Sequence, residues 1–363
     1  MISKLKSFLV LIIILQSLVC ISQNSSLVSS ADDSVEPWFF IALGDSRNWD
    51  ENISNPVRES IFDTVVSDNP NMEFIIHTGD MVNDGGEQDD WDLFYADVDC
   101  LEENNITMYC AVGNHEMYTY SFPNGTYGPS ETNFSTYMAN VELPGNERFY
   151  SFDYNSIHFI FINTDEYFVY DGGYIYDITE EQLDWITNDL STNTMNTTIA
   201  IFHRPCYSVR DSSRSIQASA IGAVLEPLFL EYNVILTFAG HDHYYYNTKR
   251  QGIQHIVTGG AGAPLANAGD TSGALENDVY FSDYHYCNVT VTESELLIDV
   301  HVFNESLNET TIEDTITISL ENIVTTTPSS ETTKTNTSSY LIISFSLLIL
   351  ASVWLKRRIE PYS

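Results

Sequence analysis

The chain has 363 residues, with 14 Lys plus Arg against 51 Asp plus Glu, a formal charge of -37. With 22 Tyr, 19 Phe and 5 Trp it holds too many aromatics for a disordered acidic tail, and it is long enough to bury a real core. No Lys/Arg patch exists to neutralise phosphates, which excludes a nucleic-acid scaffold; scattered Gly and Pro without a heptad exclude a coiled coil.

Lys4 and Lys6 precede an apolar run from Phe8 to Ile21, so residues 1–21 read as a secretory signal, with an uncleaved anchor as the alternative. Trp38 to Leu43 is a short apolar strand ending in Gly44-Asp45-Ser46-Arg47. Pro56 to Val66 reads as a helix with Pro at its start. Phe74 to Ile76 is a second buried strand, ending at His77-Thr78-Gly79-Asp80. Asp90 to Leu101 reads as one helix, and Thr107 to Val112 as a strand ending at Gly113-Asn114-His115-Glu116. Residues 117–147 read as a long loop with a short helix, and Arg148–Tyr154 with Ile157–Asn163 as a hairpin. Thr179 to Leu190 is a helix whose Thr179 and Gln182 fit a capping box. Thr198–Phe202 is a strand ending at His203, and Ile216–Leu230 a helix bent or broken near Pro227. Val234–Phe238 ends at Gly240-His241-Asp242-His243, and Gly252–Val257 precedes a Gly/Ala-rich loop. Cys287–Val291, Leu296–Val302 and Thr315–Leu320 alternate in strand fashion.

Residues 325–339 are almost pure Thr and Ser and read as a stalk. The uncharged run Tyr340–Leu355 reads as a membrane span, and Lys356, Arg357 and Arg358 place the tail 356–363 on the cytoplasmic side. The expected topology is a single-pass cell-surface protein with an exported body. N-x-S/T triplets at Asn24, Asn52, Asn105, Asn124, Asn133, Asn196, Asn288, Asn304, Asn308 and Asn336 are candidate glycan acceptors. Cys100, Cys110, Cys206 and Cys287 allow two disulfides; Cys100 to Cys110 is one expected pair and Cys206 to Cys287 the remainder.

Strand, polar loop and helix alternate repeatedly, which is the signature of a layered α/β domain. In such folds ligands gather outside the carboxyl ends of the strands, and five such ends here carry Asp, Asn or His. Asp45, Asp80, Asn114, His203, His241 and His243 form a mixed oxygen and nitrogen set that suits Fe, Mn, Zn or Co. A shared carboxylate can bridge two ions, and two ions suit phosphoryl transfer.

The ordered motifs GDS at 44–46, GDMVND at 79–84, GNHE at 113–116, HRP at 203–205 and GHDH at 240–243 resemble those of the calcineurin-like metallophosphoesterases, purple acid phosphatase branch. The resemblance covers roughly residues 37–303, with 304–324 as a strand extension. It implies a four-layer α/β/β/α sandwich and a dinuclear centre of two divalent or mixed-valence ions drawn from Fe, Mn and Zn. On the resemblance, Asp80 bridges both ions, Asn114, His203 and His241 complete the second site, and Asp45 and His243 bind the first. His115 would protonate the leaving oxygen or hold the phosphoryl group. The chain departs from the family twice. Arg47 stands where many members have a histidine ligand, and Asn83 where purple acid phosphatases have a tyrosine. Asn83, Asp84 or water would then fill the first site. Arg47 cannot ligate, because guanidinium stays protonated; it clamps a phosphate or pairs with a nearby acid.

Three readings follow: a surface-anchored phosphomonoesterase acting on a phosphorylated small molecule; a phosphodiesterase or nucleotidase on the same centre; or a non-catalytic surface domain. In the second, Tyr118, Tyr120 and Tyr127 or Tyr244 to Tyr246 would stack a base.

Overall fold

The computed structural model describes residues 36–48, 55–121, 126–170, 173–176, 178–304 and 309–320. The signal, the stalk, Tyr340–Leu355 and the cytoplasmic tail lie outside them. No helix among the described residues is long and apolar enough to cross a membrane.

Among the described residues seventeen strands form in chain order: β1 (Trp38–Leu43), β2 (Phe74–His77), β3 (Thr107–Cys110), β4 (Tyr118–Ser121), β5 (Thr126–Pro129), β6 (Tyr150–Tyr154), β7 (Ile157–Ile162), β8 (Tyr167–Tyr170), β9 (Gly173–Tyr176), β10 (Thr197–Phe202), β11 (Val234–Ala239), β12 (Tyr245–Arg250), β13 (Ile253–Thr258), β14 (Val279–Phe281), β15 (His285–Val291), β16 (Glu295–Asn304) and β17 (Glu309–Ser319). One six-stranded sheet runs β17-β16-β15-β1-β2-β3, and a seven-stranded sheet runs β14-β12-β13-β11-β10-β7-β6. β1, β2 and β3 are mutually parallel. So are β7, β10, β11 and β13. β2, β7, β10 and β13 are buried along their whole length, so that even their polar members His77, His158, Thr197 and His255 lie inside. β17 alternates because it closes the sheet edge with one face to water.

The sheets pack face to face. Trp38, Phe40, Phe74, Phe159, Phe161, Phe238 and Val289 share one core between them. Phe40 meets Phe74 and Phe159 at centroid separations of 5.4 Å each. A second core lies under helices Pro56–Asp68 and Gln88–Asp97, and a third under Glu180–Thr192 and Ser212–Glu231. The order is helices, sheet, sheet, helices: the expected four layers.

Several local expectations change. The helix expected over Asp90–Leu101 is two, Gln88–Asp97 and Asp99–Glu103. Val98 leaves helical geometry between them at φ -119°, ψ 21°. Thr179 does cap its helix through the Gln182 amide, but the Gln182 side chain bonds both backbone groups of Asn163 rather than returning to the cap. The helix Ser212–Glu231 is continuous through Pro227. Residues 117–147 hold the β4–β5 hairpin and the helix Glu131–Asn140.

The expected disulfides do not form: all four cysteines are free and buried. Cys206 lies in the helix-side core and Cys287 in the inter-sheet core, on opposite faces of a layer. The Cys110 thiol instead meets Tyr137 Oη at 3.9 Å, and burial pushes the Cys100 and Cys110 thiols up to about 12. Asn133 is also unsuited to carry a glycan in the folded chain. It is buried, and its amide donates to Asp84 Oδ1 at 2.7 Å and to the Tyr118 carbonyl at 2.9 Å.

Candidate metal centre

The carboxyl ends of β1, β2, β3, β10 and β11 deliver Asp45, Asp80, Asn114 with His115, His203, and His241 with His243 to one place. All are buried. Two ligand sets form. Asp80, His203 and His241 have donor atoms within 4.8 Å of one another, and so do Asp45, Asp80 and His243. Asp80 belongs to both. Asn114 Oδ1 lies 3.2 Å from His203 Nε2 and so joins the first of these sets.

The second ring nitrogens fix which atoms face inward. His203 Nδ1 lies 2.9 Å from the Thr78 carbonyl and His243 Nδ1 2.8 Å from the Pro264 carbonyl, which leaves each Nε2 for the centre. His241 is turned the other way. Its Nε2 lies 2.7 Å from Arg204 Nη1, and its Nδ1 is 3.2 Å from His203 Nε2. The inward nitrogens of three imidazoles, an amide oxygen and buried carboxylates thus converge, and such a set calls for a cation. The electrostatics agree. Burial alone would lower His203, but the Asp80 and Asp45 charges raise it to about 10. Burial would raise Asp80, but His203 and then His115 hold it well below the usual carboxylate range. The donor chemistry fits the dinuclear group expected from the motifs.

Backbone geometry is also unusual here. Asp45, Asp80, His241 and His243 all have positive φ, between 53° and 73°. Left-handed non-Gly residues cost roughly 1–3 kcal/mol each and persist where surrounding structure enforces them. The glycines preceding Asp45, Asp80, Asn114 and His241 are explained by close approach. A Cβ on Gly113 would stand 2.3 Å from Asp80 Oδ1, and one on Gly240 would stand 2.3 Å from Asp45 Oδ2.

Above the ligands is a cavity of about 440 Å³ whose lining includes Asp80, Asn114, His115, His241, His243 and Arg47. Arg47 donates to uncharged oxygens, the Asn48 carbonyl at 3.1 Å and Asn83 Oδ1 at 3.2 Å, so the alternative of an acid partner does not appear among the described residues. The same bond engages Asn83 Oδ1. Asp84 accepts from the Gly86 amide and from Asn133, turned to the helix Glu131–Asn140 rather than to the centre. His115 Nδ1 lies 2.6 Å from the Asn83 carbonyl, and its Nε2 is 3.9 Å from Asp80 Oδ2. Burial lowers His115 to about 4, against the opposing pull of Asp80.

The structure adds residues that the motifs did not single out. Glu116 accepts from the backbone amides of Asp80, Met81, Val82 and Gly113 at 2.8–3.3 Å, tying the second loop to the third. His77 bonds Ser46 Oγ at 2.9 Å and accepts from the Gly79 amide at 3.1 Å. Arg210 and Arg214 face the cavity with Gln217, beside Arg204 of the HRP motif. Four of the six tyrosines expected to stack a base are buried instead. Tyr244, Tyr245 and Tyr246 are buried and bond Asp242, Asp314 and Asp278, and Tyr118 is buried as well. The side chains of Tyr120 and Tyr127 lie outside the described set.

The profile of the calcineurin-like phosphoesterase family matches residues 52–245. An Arabidopsis thaliana protein called "Probable inactive purple acid phosphatase 24" is 27% identical over 320 residues, which is 76% of this chain and 49% of that protein. "Purple acid phosphatase 23" from the same plant is 27% identical over 203 residues, 53% of this chain and 40% of its own length. The chain therefore spans less than half the length of these relatives. Among solved structures, a yellow lupin purple acid phosphatase, PPD1, superposes with a TM-score of 0.59 at 22% identity, over 78% of this chain and 54% of the other. Plasmodium GAP50, titled the anchor in the inner membrane complex, gives 0.53 at 16% identity over 78% and 89%. Both show the same fold. With the profile spanning more than half of the sequence, the chain belongs to the calcineurin-like phosphoesterase family.

Proposed function

We propose that the chain is a metal-dependent phosphoesterase that removes terminal phosphoryl groups from small phosphomonoesters. The observation carrying this reading is that two buried ligand sets share Asp80 beneath a cavity that Arg47 lines. When bound, two ions would neutralise phosphoryl oxygens and lower the pKa of water. Asp45 and His243 would hold one of them, Asn114, His203 and His241 the other, and Asp80 both. The chain's own residues do the remainder. Arg47, held by Asn83, offers N–H donors to a phosphoryl oxygen. His115 is fixed through Nδ1 and presents Nε2 to the cavity, where it can take or give a proton. Because it is lowered to about 4, it is mostly neutral at pH 7 and donates from Nε2 only in acid. The protonating role that the motifs suggested therefore predicts an acid-range optimum. The buried tyrosines offer no base-stacking platform, which favours the monoester reading over a nucleotidase that grips its base.

A panel of phenyl phosphate and bis(phenyl) phosphate with Mn, Zn or Fe tests this. Metal-dependent release of phosphate from the monoester supports it; preference for the diester rejects it. Absence of turnover with every metal favours the non-catalytic reading, which draws support from the missing extra ligand at the first site, where Asn83 is engaged with Arg47 instead. We place the body outside the cell, held by 340–355, on the strength of the apolar run and its basic tail. External protease on intact cells should then remove the body while sparing the carboxyl terminus.

A further inference from the structure

The described residues include eight Lys and Arg, namely Arg47, Arg58, Arg148, Arg204, Arg210, Arg214, Lys249 and Arg250. Four of these, Arg47, Arg204, Arg210 and Arg214, line the one cavity above the metal ligands. In a chain of charge -37 that is a concentration of positive potential at one point. The four are not equivalent. Arg204 is committed: Nε donates to Asp165 at 2.7 Å, and Nη1 to Gln217 at 2.9 Å and toward His241. Arg47 adjoins the ligand Asp45 and bonds Asn83. Arg210 and Arg214 flank the start of the helix Ser212–Glu231, and both act on the buried Asp242 through charge, with no side-chain hydrogen bond from either among the described residues. Arg214 Nε is 3.8 Å from Asp242 Oδ1, beyond hydrogen-bond reach. Arg210 Nη1 is shielded from solvent with no hydrogen-bond partner, an unfavourable state unless something fills it. The helix terminus itself is not the attraction, since Asp211 already accepts from the Ser213 and Arg214 amides.

One phosphoryl group over the ligands uses Arg47 and His115. Two further guanidinium groups in the same cavity are surplus to it. We infer that Arg210 and Arg214 form a second anion subsite that takes the inner phosphate of a substrate ending in a diphosphate, while the terminal phosphate sits over the metal ligands. This rests on the phosphoesterase reading and names its substrate class. In the reaction, water oxygen bonds to the terminal phosphorus as the bond from that phosphorus to the bridging oxygen breaks. The inner phosphate leaves with the electron pair, and one proton of the water goes to solvent or to the leaving phosphate.

Calorimetric titration of the full-length protein with Mn²⁺ tests this without turnover, using methylenediphosphonate against phenylphosphonate as probes. Wild type should bind the diphosphonate at least tenfold tighter. In Arg210→Ala/Arg214→Ala that preference should fall to about threefold or less. Arg210→Gln, which removes only the partnerless group, should lose a good part of it and guards against misfolding of the double variant. Equal affinity of wild type for the two probes overturns the subsite, as does an equal loss for both probes in the variants. Phosphate release from phenyl phosphate is read separately. If it is absent while the diphosphonate preference follows the arginines, the subsite stands and the hydrolase reading fails.

Discussion

Arg58 offers the sharpest test of what holds the site together. It is fully buried in the helix Pro56–Asp68. Its Nε and Nη2 both reach Asp97 Oδ2, at 3.1 and 2.5 Å. Nη1 donates to the carbonyls of Ser46 at 3.3 Å and Met81 at 3.2 Å, the residues that follow Asp45 and Asp80. Nη2 also reaches the Leu93 carbonyl. One guanidinium thus bolts two ligand loops to the helix Gln88–Asp97. Arg58→Met keeps volume but takes the counter-charge from the buried Asp97, leaving it the Asn55 amide at 2.9 Å, and removing one partner of a buried pair costs about 3–5 kcal/mol. That is a large part of an ordinary domain's 5–15 kcal/mol of stability. Arg58→Met/Asp97→Leu removes both charges, so its loss should be smaller than the sum of the singles by about 2 kcal/mol. Urea unfolding followed by fluorescence gives these differences, and a Mn²⁺ titration of the folded single variant should show weakened binding. A loss below about 1 kcal/mol for Arg58→Met, or additive single losses, would refute the reasoning.

Gly240→Ala would force a Cβ to within 2.3 Å of Asp45 Oδ2 and 2.6 Å of Thr78 Oγ1; Mn²⁺ affinity at the site holding Asp45 should drop at least tenfold, read by metal titration. Arg47→His should tighten that same site and lower kcat/KM on a phosphomonoester by about tenfold, since one imidazole is gained and a guanidinium donor lost; kinetics beside metal titration separate the two effects. His158 bonds Asp153 and Asp189 at 2.7 Å each, and these bonds overcome burial to raise its pKa. A raised folded value means the contribution is full below the unfolded pKa of about 6.5 and fades as pH rises through the folded value. His158→Gln should therefore cost about 2 kcal/mol at pH 5.5 and clearly less at pH 9, measured by urea unfolding at both pH values.

The strand-end polar residues were legible because they follow apolar runs at once, and the five ordered motifs pointed both to the layers and to the candidate ligands. The glycines and their Asp, Asn or His are local in sequence, so their meaning survives without the fold. Arg58 was not legible. It looks like any solvated helix arginine until Asp97, 39 residues on, is brought beneath it. Glu116 was visible inside GNHE, but that it gathers four amides from two loops depends on how those loops meet. Arg210 and Arg214 carry no motif, and only the packing of their helix against the cavity gives them a role. The Tyr244–Tyr246 run misled because three adjacent aromatics look exposed after a polar loop. Tyr245 and Tyr246 open a paired strand, β12, between β13 and β14, with Tyr244 just before it, and each of the three hydroxyls finds an acid. The cysteines misled because an even count says nothing about which face of a sheet each thiol occupies.

The central claim is that Asp80 joins two metal sites into one phosphoesterase centre. Elemental analysis of folded wild type and Asp80→Asn, beside their turnover of phenyl phosphate, tests it most directly. The account expects two ions per wild-type chain, at most one in Asp80→Asn, and at least a hundredfold loss of turnover, because a neutral amide cannot balance two cations. Two tightly held ions and undiminished turnover in Asp80→Asn would contradict it.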